Sequence, residues 1–360
     1  MKILVIYATA GAGHRKAAEA ISQGLSSSHQ VHTVDALDYT SRFYKRIYIQ
    51  AYTFLISRVP WLWGILFSLL DIPALLPLVR FLRRLQNTIH ARPLARFLIQ
   101  EQFDCVFSTH FFPCEVASYL KRKGKISSKL VCTVTDYDVH SIWISEGVDC
   151  YTVASDWTKR KMLRLGVPDA LIAVTGIPTE EKFSQPKDIN ALKARLALQP
   201  GVMTVLVATG SFGIGPIEET IEQLAGFQLV VVCGHNKVLY QKLNQQRKTL
   251  VKVCGLVDNM DELMAVSDVM VTKPGGLSIS EALVTGLPLV FFNAIPGQEV
   301  NNIKVLDTYG VGRLCVTVDQ IAQTLHGFKN APQTLNTAKA RVQLLARPGA
   351  VKDIIHLLPE

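Results

Sequence analysis

The sequence predicts an α/β protein with two parallel sheets, and three observations support that prediction. Short apolar runs alternate with amphipathic helical stretches along the chain, as they do in strand–helix–strand units. The chain has 360 residues, of which 49% are hydrophobic, and this composition allows two cores of ordinary size. A segment rich in proline, glycine and charge, GIPTEEKFSQPKD at 176–188, separates the two halves.

The predicted elements alternate in both halves of the chain. The first half contains strands at 3–7, 105–108, 130–135 and 150–154 and helices at 13–25, 92–101, 113–123 and 156–165. The second half contains strands at 204–208, 228–233, 250–253, 269–272 and 287–292 and helices at 216–225, 236–246, 258–267, 279–285 and 300–308. A last helix is predicted at 351–358. We therefore expect domains at 1–178 and 179–340, with the segment 341–360 packing back on the first.

Cysteine usage and the first residues indicate a reducing compartment. The seven cysteines are scattered, and no pair has the C-x-x-C spacing. We expect buried, reduced thiols, and neither a disulfide framework nor a zinc site. The start of the chain, MKILVIYATAG, lacks the apolar core and the cleavage signature of a signal peptide, so it is interpreted as a buried strand.

The net charge of +9 is concentrated in one apolar region. Residues 40–100 contain nine Lys or Arg residues and a single acid, Asp71. The longest charge-free run there covers only residues 59–70, and prolines 60, 73 and 77 interrupt the region, so it is too short to cross a bilayer as one helix.

One interpretation of this basic apolar region is a segment lying in the headgroup layer of an anionic membrane. The alternative is a pair of ordinary helices with basic outer faces. Residues predicted to contact lipid are Trp61, Trp63, Arg80, Arg83 and Arg84. No nucleic-acid-binding signature is present, and no nucleic-acid partner is expected.

Three glycine-bearing turns follow predicted strands. They are GAGH at 11–14, ATGSFGIG at 208–215 and KPGGLSISEAL at 273–283. Such turns allow a ligand to approach the backbone closely, and the helix that follows offers unpaired N–H groups to a phosphate. None of the turns is a Walker A motif, and the first has Lys16 where a dinucleotide fingerprint requires a last small residue. Kinase and NAD-dependent functions are therefore disfavoured.

The third turn has two interpretations. Ser278 and Glu281 form an S-x-x-E pattern, which is typical of a capping box at a helix start. Alternatively, Gly275, Gly276 and Ser278 cradle a diphosphate while the Glu281 carboxylate accepts hydrogen bonds from a ribose diol. One carboxylate cannot serve fully in both roles, and the residues alone leave the choice open.

Four blocks of the sequence resemble a known family. They are TAGAGHRKAAEAI, VTDYDVHSIWISEGVDCYTVASDWTKRKMLRLGV, VTGIP and TKPGGLSISEALVTGLPLVFFNAIPGQEVNN. In this order they resemble the diacylglycerol glycosyltransferase and monogalactosyldiacylglycerol synthase family, which is of the glycosyltransferase family 28 type. The resemblance implies a GT-B fold, in which two Rossmann-like domains with parallel sheets face each other across a cleft. The domain 1–178 would face the membrane and take the lipid acceptor, and the domain 179–340 would bind a UDP-sugar. Transfer in such enzymes is metal-independent and inverting, so we expect no metal site and no cofactor.

The resemblance also carries binding roles over by position. On the donor side it points to ten residues: Ser211, Gly234, Asn236, Val257, Gly275, Gly276, Ser278, Glu281, Gln298 and Asn302. On the acceptor side we expect Gly11 and Gly13, which would let the acceptor hydroxyl approach, and His140. The run A-T-A-G-A-G-H departs from close relatives in the residues before the first glycine, which leaves the acceptor contacts at Thr9 and Ala10 open.

His14 is the predicted general base. Displacing UDP from a sugar needs a hydroxyl that loses its proton, and a neutral histidine can take that proton. A helix N-terminus would lower the pKa of His14 and keep it neutral before reaction. Asp136 or Asp138 would orient the ring or accept the proton instead, and His140 is another candidate near the cleft.

The predicted function is transfer of glucose or galactose from a UDP-sugar to diacylglycerol or a related lipid, at the cytoplasmic face of the cell membrane. Two alternatives stay open: transfer of N-acetylglucosamine to another lipid, and a UDP-N-acetylglucosamine 2-epimerase of the same fold. A membrane-bound sensor of nucleotide sugars is a third. The sequence does not distinguish the hexose.

Overall fold

A computed structural model describes residues 1–9, 11–211, 213, 215–246 and 248–358, with only the main chain of Pro73. Two compact units make up the chain. The first comprises Met1–Glu180, Ile295–Asn301 and Gly349–Glu360, and the second comprises Glu181–Ala294 and Asn302–Pro348. Each unit holds one six-stranded parallel sheet. The predicted α/β class with two parallel sheets is therefore confirmed.

In the first unit the strands follow the spatial order β2-β1-β3-β4-β5-β6. Their bounds are Lys2–Tyr7 (β1), Gln30–Asp35 (β2), Cys105–Ser108 (β3), Lys129–Thr133 (β4), Cys150–Val153 (β5) and Ile172–Val174 (β6). The helices are Ala12–Leu25 (α1), Arg42–Arg58 (α2), Pro60–Leu69 (α3), Leu76–His90 (α4), Arg92–Glu101 (α5), Phe111–Arg122 (α6) and Asp156–Arg164 (α7).

In the second unit the order is β12-β11-β10-β7-β8-β9. The strands are Thr204–Ala208 (β7), Gln228–Val232 (β8), Val251–Cys254 (β9), Val269–Thr272 (β10), Leu289–Phe292 (β11) and Arg313–Cys315 (β12). The helices are Ile189–Arg195 (α8), Ile217–Gln223 (α9), Lys237–Gln245 (α10), Met260–Ala265 (α11), Gly276–Val284 (α12), Gln298–Thr308 (α13), Val318–Asn330 (α14) and Pro332–Val342 (α15). The chain ends with Ala350–Ile355 (α16).

Apolar side chains cover both faces of the first sheet. Along β1, Leu4 and Ile6 enter one buried cluster, whereas Ile3 and Val5 enter the cluster on the opposite face. This arrangement follows from the two-residue period of a strand that is covered on both sides. Ile354 of α16 lies in the second cluster with residues of α1, so the last helix completes the core of the first unit. It ends at Ile355, three residues before the predicted end.

Three strands were missing from the predicted set: β2, β6 and β12. All three are edge strands. An edge strand is covered less completely than a central one, so its sequence carries a weaker apolar pattern. The strand β2, QVHTVD, shows this directly, since only its last residue is fully buried.

The prolines of the basic apolar region start helices. Pro60 and Pro77 lie in the first turns of α3 and α4, where a missing N–H costs nothing. In the described part of the chain, no single helix is long and apolar enough to span a membrane. The pair α2 and α3 passes that test together by length and composition, but it is bent by 114°.

Candidate functional site

The first candidate site lies at the carboxyl edge of the first sheet. The turns after the neighbouring strands β1, β3 and β4 bring His14, Thr109 and Thr135 together. The Nδ1 atom of His14 lies 2.8 Å from the Thr109 carbonyl oxygen and 2.9 Å from Thr135 Oγ1. The Thr109 hydroxyl in turn donates to the His14 carbonyl at 2.8 Å. Ligands of open parallel sheets bind at this edge.

These contacts determine which ring nitrogen of His14 holds the proton. A carbonyl oxygen can only accept, so Nδ1–H must be the donor to Thr109. The neutral ring then carries its lone pair on Nε2. His14 is thereby oriented with one nitrogen anchored on the backbone and the other able to take a proton from a ligand.

The surroundings of His14 keep it neutral. Burial lowers its pKa to about 4, against the opposing effect of the hydrogen bond to Thr109. We had expected the helix N-terminus to lower this pKa, but burial is the larger cause. Part of the enclosure is aromatic: the ring of His110 packs edge-on against His14 at 4.7 Å, and Trp143 lies at 6.1 Å.

His110 was missing from the predicted site. It caps α6 by accepting the N–H of Phe112 on Nδ1 at 3.0 Å, and it is almost fully buried. Burial, followed by the proximity of His14 and Arg83, lowers its pKa well below the ordinary value. The signal in the sequence was the run STHFFP directly after a predicted strand, because polar residues at that place lie at the ligand edge.

The two predicted aspartates have different surroundings. Asp136 is buried, and its Oδ1 lies 3.5 Å from Nε2 of Gln298, at the start of α13. Asp138 instead accepts from Lys161 through both oxygens at 2.9 Å. Of the two, Asp136 therefore remains the candidate for a functional carboxylate, and Asp138 has a structural ion pair.

His140, predicted on the acceptor side, is held by the main chain at both ring nitrogens. Its Nδ1 accepts from the N–H of Ile142 at 3.0 Å, and its Nε2 donates to the carbonyl of Phe67 at 2.9 Å. The ring therefore joins α3 to the turn after β4. This arrangement favours a positioning role for His140 over direct contact with an acceptor hydroxyl.

Gly11 caps α1 with extended backbone, at φ −179°. A side chain could adopt this conformation, so backbone strain does not explain the glycine. A Cβ added there would meet no described atom within 4 Å. Gly11 therefore leaves room in front of the helix that carries Gly13 and His14. Ala10 of this turn lies outside the described residues.

The second candidate site lies at the carboxyl edge of the second sheet. The predicted donor residues follow the strands β7 to β11 in the sequence. These five strands lie side by side in the sheet, in the order β11-β10-β7-β8-β9. The Thr272 hydroxyl donates to the Ala208 carbonyl at 2.7 Å and ties two of these turns together. Val257 lies half-buried in the turn after β9. Phe212 and Ile214 of the second glycine turn lie outside the described residues.

The N-terminus of α12 lies beside open space. Gly275 is its N-cap residue, at φ −73°, and no described side chain caps the helix. A Cβ added to Gly275 would meet no atom within 4 Å in the described part of the chain. The first turn also contains no acidic residue. Unsatisfied N–H groups and the helix dipole make such an end suited to a phosphate group.

The capping-box interpretation of the third turn is wrong. Because α12 starts at Gly276, Ser278 lies in the third helical position and is not the N-cap residue. Ser278 and Glu281 are both half-buried on the first two turns. The sequence pattern misplaced the helix start by three residues, because the glycines before Ser278 were assigned to the turn.

Several predicted donor residues hold the turns in place. Asn236 caps α10 by accepting from Leu239 N–H at 3.0 Å, and its amide donates to the Gly213 carbonyl at 3.1 Å. Gly234 and Gly213 have φ values of +57° and +56°. A Cβ on Gly234 would lie 2.3 Å from the carbonyl oxygen of Ser211. These residues pack one turn against the other, backbone on backbone.

Asn302 is also a support. It is completely buried, and its side-chain amide donates to the carbonyl of Pro274 at 3.0 Å. This bond holds the turn immediately before Gly275. The segment PGQEVNN at 296–302 resembles a loop of the family that contacts the sugar and the phosphate, but its residues 298–302 form the first turns of α13.

Comparisons with known proteins identify the family. Residues 14–179 match the family model described as monogalactosyldiacylglycerol (MGDG) synthase, and residues 204–354 match the glycosyltransferase family 28 C-terminal domain. A processive diacylglycerol beta-glucosyltransferase of Staphylococcus carnosus is 32% identical over 74% of this chain and 70% of its own length. The chain belongs to the diacylglycerol glycosyltransferase family. It is thus a glycosyltransferase, as the four sequence blocks predicted.

Further comparisons agree with this assignment. A relative in Bacillus subtilis with the same name is 30% identical over 69% of this glycosyltransferase and 67% of its own length. Among solved structures, MurG of Acinetobacter baumannii matches with a TM-score of 0.59 at 14% identity, over 99% of each chain. HepE of Anabaena in complex with UDP-glucose matches with a TM-score of 0.58 at 15% identity, also over 99% of each. These likenesses confirm the predicted GT-B fold.

The first unit of this glycosyltransferase exposes a large apolar surface, which we call the apolar face. It is formed by large side chains of α2, α3 and α4 and of the turn between α3 and α4. Soluble proteins rarely expose so many large apolar side chains in one region. The members with the greatest exposure are Phe43, Phe54, Trp61, Leu78 and Phe81, at 56–73%.

Two of the predicted lipid contacts are not at this surface. Arg83 forms an ion pair with Glu115 at 2.7 Å and donates to the Ile142 carbonyl at 3.2 Å, so its guanidinium packs inward. Burial lowers the pKa of Arg83, which the carboxylate of Glu115 opposes. Trp63 packs edge-on against Tyr52 at 5.5 Å. Trp61 and Arg84 are exposed and Arg80 is half-buried, so these three remain candidates for lipid contact.

Proposed function

We propose that this glycosyltransferase transfers a hexose from a UDP-sugar to diacylglycerol with inversion at the anomeric carbon. The observation that carries the proposal is the anchored imidazole of His14, whose Nδ1 bond to Thr109 leaves Nε2 as the acceptor of a proton. The curated relatives bear the name processive diacylglycerol beta-glucosyltransferase, and HepE was crystallised with UDP-glucose. The relatives' name agrees with the proposed acceptor, and the HepE complex agrees with the proposed donor.

In this proposal His14 is the general base. The hydroxyl oxygen of diacylglycerol forms a bond to the anomeric carbon, while the bond from that carbon to UDP breaks. The hydroxyl proton passes to Nε2 of His14, and the electron pair of the broken bond leaves on the β-phosphate of UDP. Asp136 and Gln298 form a polar pair on the same edge of the first sheet, suited to hold a hydroxyl-rich substrate.

The leaving diphosphate would rest on the N-terminus of α12. The N–H groups near Gly275, Gly276 and Ser278 would stabilise the charge that grows on the β-phosphate, since fixed dipoles cost no reorganisation during reaction. Glu281, one turn further along, would accept from the ribose hydroxyls. Asn302, Asn236 and Gly234 would support the turns without touching the nucleotide. We propose a reaction that needs no metal ion.

Glucose is the proposed sugar because the relatives are named glucosyltransferases. The proposed location is the cytoplasmic face of the cell membrane, where UDP-sugars are made and where the apolar face would meet lipid. A surface of exposed aromatic and aliphatic side chains with flanking arginines is typical of proteins that lie in the headgroup layer.

A single experiment tests this function. The protein is incubated with radiolabelled UDP-glucose or UDP-galactose and with liposomes that contain or lack diacylglycerol, and the lipid products are separated and hydrolysed with anomer-specific glycosidases. We expect β-glucosyl diacylglycerol as the product. If the enzyme is processive, as the name of its relatives states, products with further glucose residues should also form. A product that forms without liposomes would favour an epimerase. No labelled product from either sugar would contradict the proposal.

Replacing Glu281 by alanine should weaken UDP binding by roughly 1–3 kcal/mol, because two hydroxyl bonds to a charged acceptor are lost. Glu281→Gln keeps the shape and should lose less. Isothermal titration with UDP measures both. Unchanged UDP affinity in the alanine variant would show that Glu281 does not bind the ribose.

Replacing Arg80 and Arg84 together by glutamine should reduce binding to anionic liposomes by roughly thirtyfold and weaken its dependence on salt, since each basic residue at such a surface contributes about 1 kcal/mol. Flotation with vesicles of graded phosphatidylglycerol content measures the effect. The matched control is Arg160→Gln with Arg164→Gln, two exposed arginines at the same helical spacing on α7. Equal losses in both double variants would contradict a specific lipid-facing role for α4.

A further inference from the structure

An open groove runs along α3 on the apolar face of the first unit. Its volume is about 550 Å³, which is within the range of small-molecule sites. One side is the exposed face of α3 and the other is the turn before α13. The two sides are formed by Trp61, Ile65, Leu69, Ile72, Pro296 and Gly297.

The groove is mainly apolar, and none of its described lining residues is charged. Ser68 contributes the one hydroxyl among the described lining residues, and that hydroxyl donates to the carbonyl of Gly64 in its own helix at 2.9 Å. No headgroup phosphate or sugar would find a charged partner there. The lining is suited to a hydrocarbon chain, because burying each methylene group stabilises a complex by about 0.8 kcal/mol.

The turn that forms one side of the groove leads directly to the candidate acceptor site. A Cβ on Gly64 would lie 2.7 Å from Cβ of Pro296, and a Cβ on Gly297 would lie 2.9 Å from the ring of Phe67, so the turn packs directly on α3. The next residue after Gly297 is Gln298, which bonds to Asp136.

The other end of α3 is also tied to the polar edge of the sheet. His140 donates to the carbonyl of Phe67, and the main-chain N–H of Ser141 donates to Asp71 at 2.9 Å. Helix α3, which forms one side of the groove, is therefore tied to both turns that carry the polar pair of Asp136 and Gln298.

We infer that the groove between α3 and the Pro296–Gly297 turn holds an acyl chain of the acceptor lipid. This inference rests on the proposed function, because it assigns a subsite to the proposed diacylglycerol. One end of the groove is at the apolar face, where a bilayer would supply the lipid. The other end is at the residue before Gln298, where the glycerol hydroxyl would have to be presented.

The test is a change that fills the groove without altering the polar site. Ser68 is exposed, so Ser68→Phe should fold and place a ring in the groove. We measure kcat/KM with dioleoylglycerol in vesicles and with monomeric dihexanoylglycerol. The ratio of long-chain to short-chain activity should fall about tenfold, as expected when roughly two methylene groups lose their contacts. The melting temperature and vesicle binding are measured alongside.

The matched control is Ser57→Phe. Ser57 is exposed on α2, lies outside the groove and makes the same type of bond to the carbonyl four residues earlier, at 2.6 Å. Its ratio should equal that of the wild type. If Ser68→Phe lowers kcat/KM equally with the long-chain and the short-chain acceptor, the inference is overturned, because the groove would then only support the turn. A change in oligomeric state with an unchanged ratio would also overturn it and would assign the groove to a second copy of this chain.

A second measurement separates failure of this inference from failure of the proposed function. A diacylglycerol with a photoreactive group in one acyl chain is incorporated into vesicles and crosslinked to the wild-type protein. Labelled peptides should contain residues 61–72 or 295–297, and labelling should fall in Ser68→Phe. If the protein transfers no sugar but is labelled there, the groove is supported and the proposed reaction is wrong. Absence of label from these peptides overturns the inference in either case.

Discussion

Replacing His14 by alanine should lower kcat by about 10²–10⁴, the usual contribution of a positioned general base. UDP affinity should stay unchanged, because His14 and the turn of Gly275 belong to different sheets. Without the imidazole, no Nε2 lone pair is present to take the proton of the acceptor hydroxyl. Initial rates with saturating donor measure kcat, and calorimetric titration with UDP supplies the control within the same variant.

Adding free imidazole to the assay tests directly whether the missing ring of His14 is the base. Removal of the ring leaves a space lined by His110 and Trp143, into which free imidazole can diffuse. We expect partial recovery of kcat in the alanine variant and no effect on the wild type. Full turnover in His14→Ala without imidazole would contradict the role as base.

The acid side of the pH profile follows from the lowered pKa of His14. The base must be unprotonated, so protonation lowers kcat/KM as the pH falls through the pKa, which burial brings to about 4. The contribution of His14 should therefore be constant from neutral pH to about pH 5. An acid limb near pH 6.5 that disappears in His14→Ala would show that the ring is hydrated in the working enzyme.

Replacing Gly275 by alanine should weaken UDP binding at least tenfold without destabilising the fold. At φ −73° alanine is unstrained, and its Cβ would meet no described atom within 4 Å. The methyl group would occupy the space in front of the first N–H groups of α12, where the diphosphate is proposed to lie. Fewer conformations of the unfolded chain favour alanine by about 0.4–1 kcal/mol, and the lower preference of alanine for the N-cap position offsets this gain, so the free energy of unfolding should stay about the same.

The matched control for Gly275→Ala is Gly327→Ala. Gly327 lies within α14 of the same unit, and a Cβ there would also meet no described atom within 4 Å. This variant should be more stable than the wild type, since alanine favours helix, and it should bind UDP normally. Calorimetry with UDP and thermal unfolding measure both variants. Normal UDP affinity in Gly275→Ala would exclude the N-terminus of α12 as the phosphate site.

The sequence determined the architecture because the architecture depends on local patterns. Central strands such as β7 and β8 are buried along their whole length, and the unbroken apolar runs in their sequences predicted them correctly. The edge strands β2, β6 and β12 were missed because a strand at the border of a sheet needs fewer apolar residues. The predicted helix at 13–25 began one residue late, since the glycines before it carry no periodic signal.

The candidate site was predictable only in part. His14 and the turn of Gly275 stand directly after strands, and that position indicates a ligand edge from sequence alone. The partners of His14 did not follow, because Thr109 and Thr135 are 95 and 121 residues away and meet it only through the order of the strands.

Tertiary packing decided which residues of a motif face a ligand and which support it. The sequence cannot show that Asn236 and Asn302 bond to backbone carbonyls, or that Arg83 pairs with Glu115 while Arg84 is exposed. Residue type and spacing determine the elements of this protein. The direction and the partners of each polar side chain depend on contacts between segments distant in the chain, and those contacts exist only after the sheet has formed.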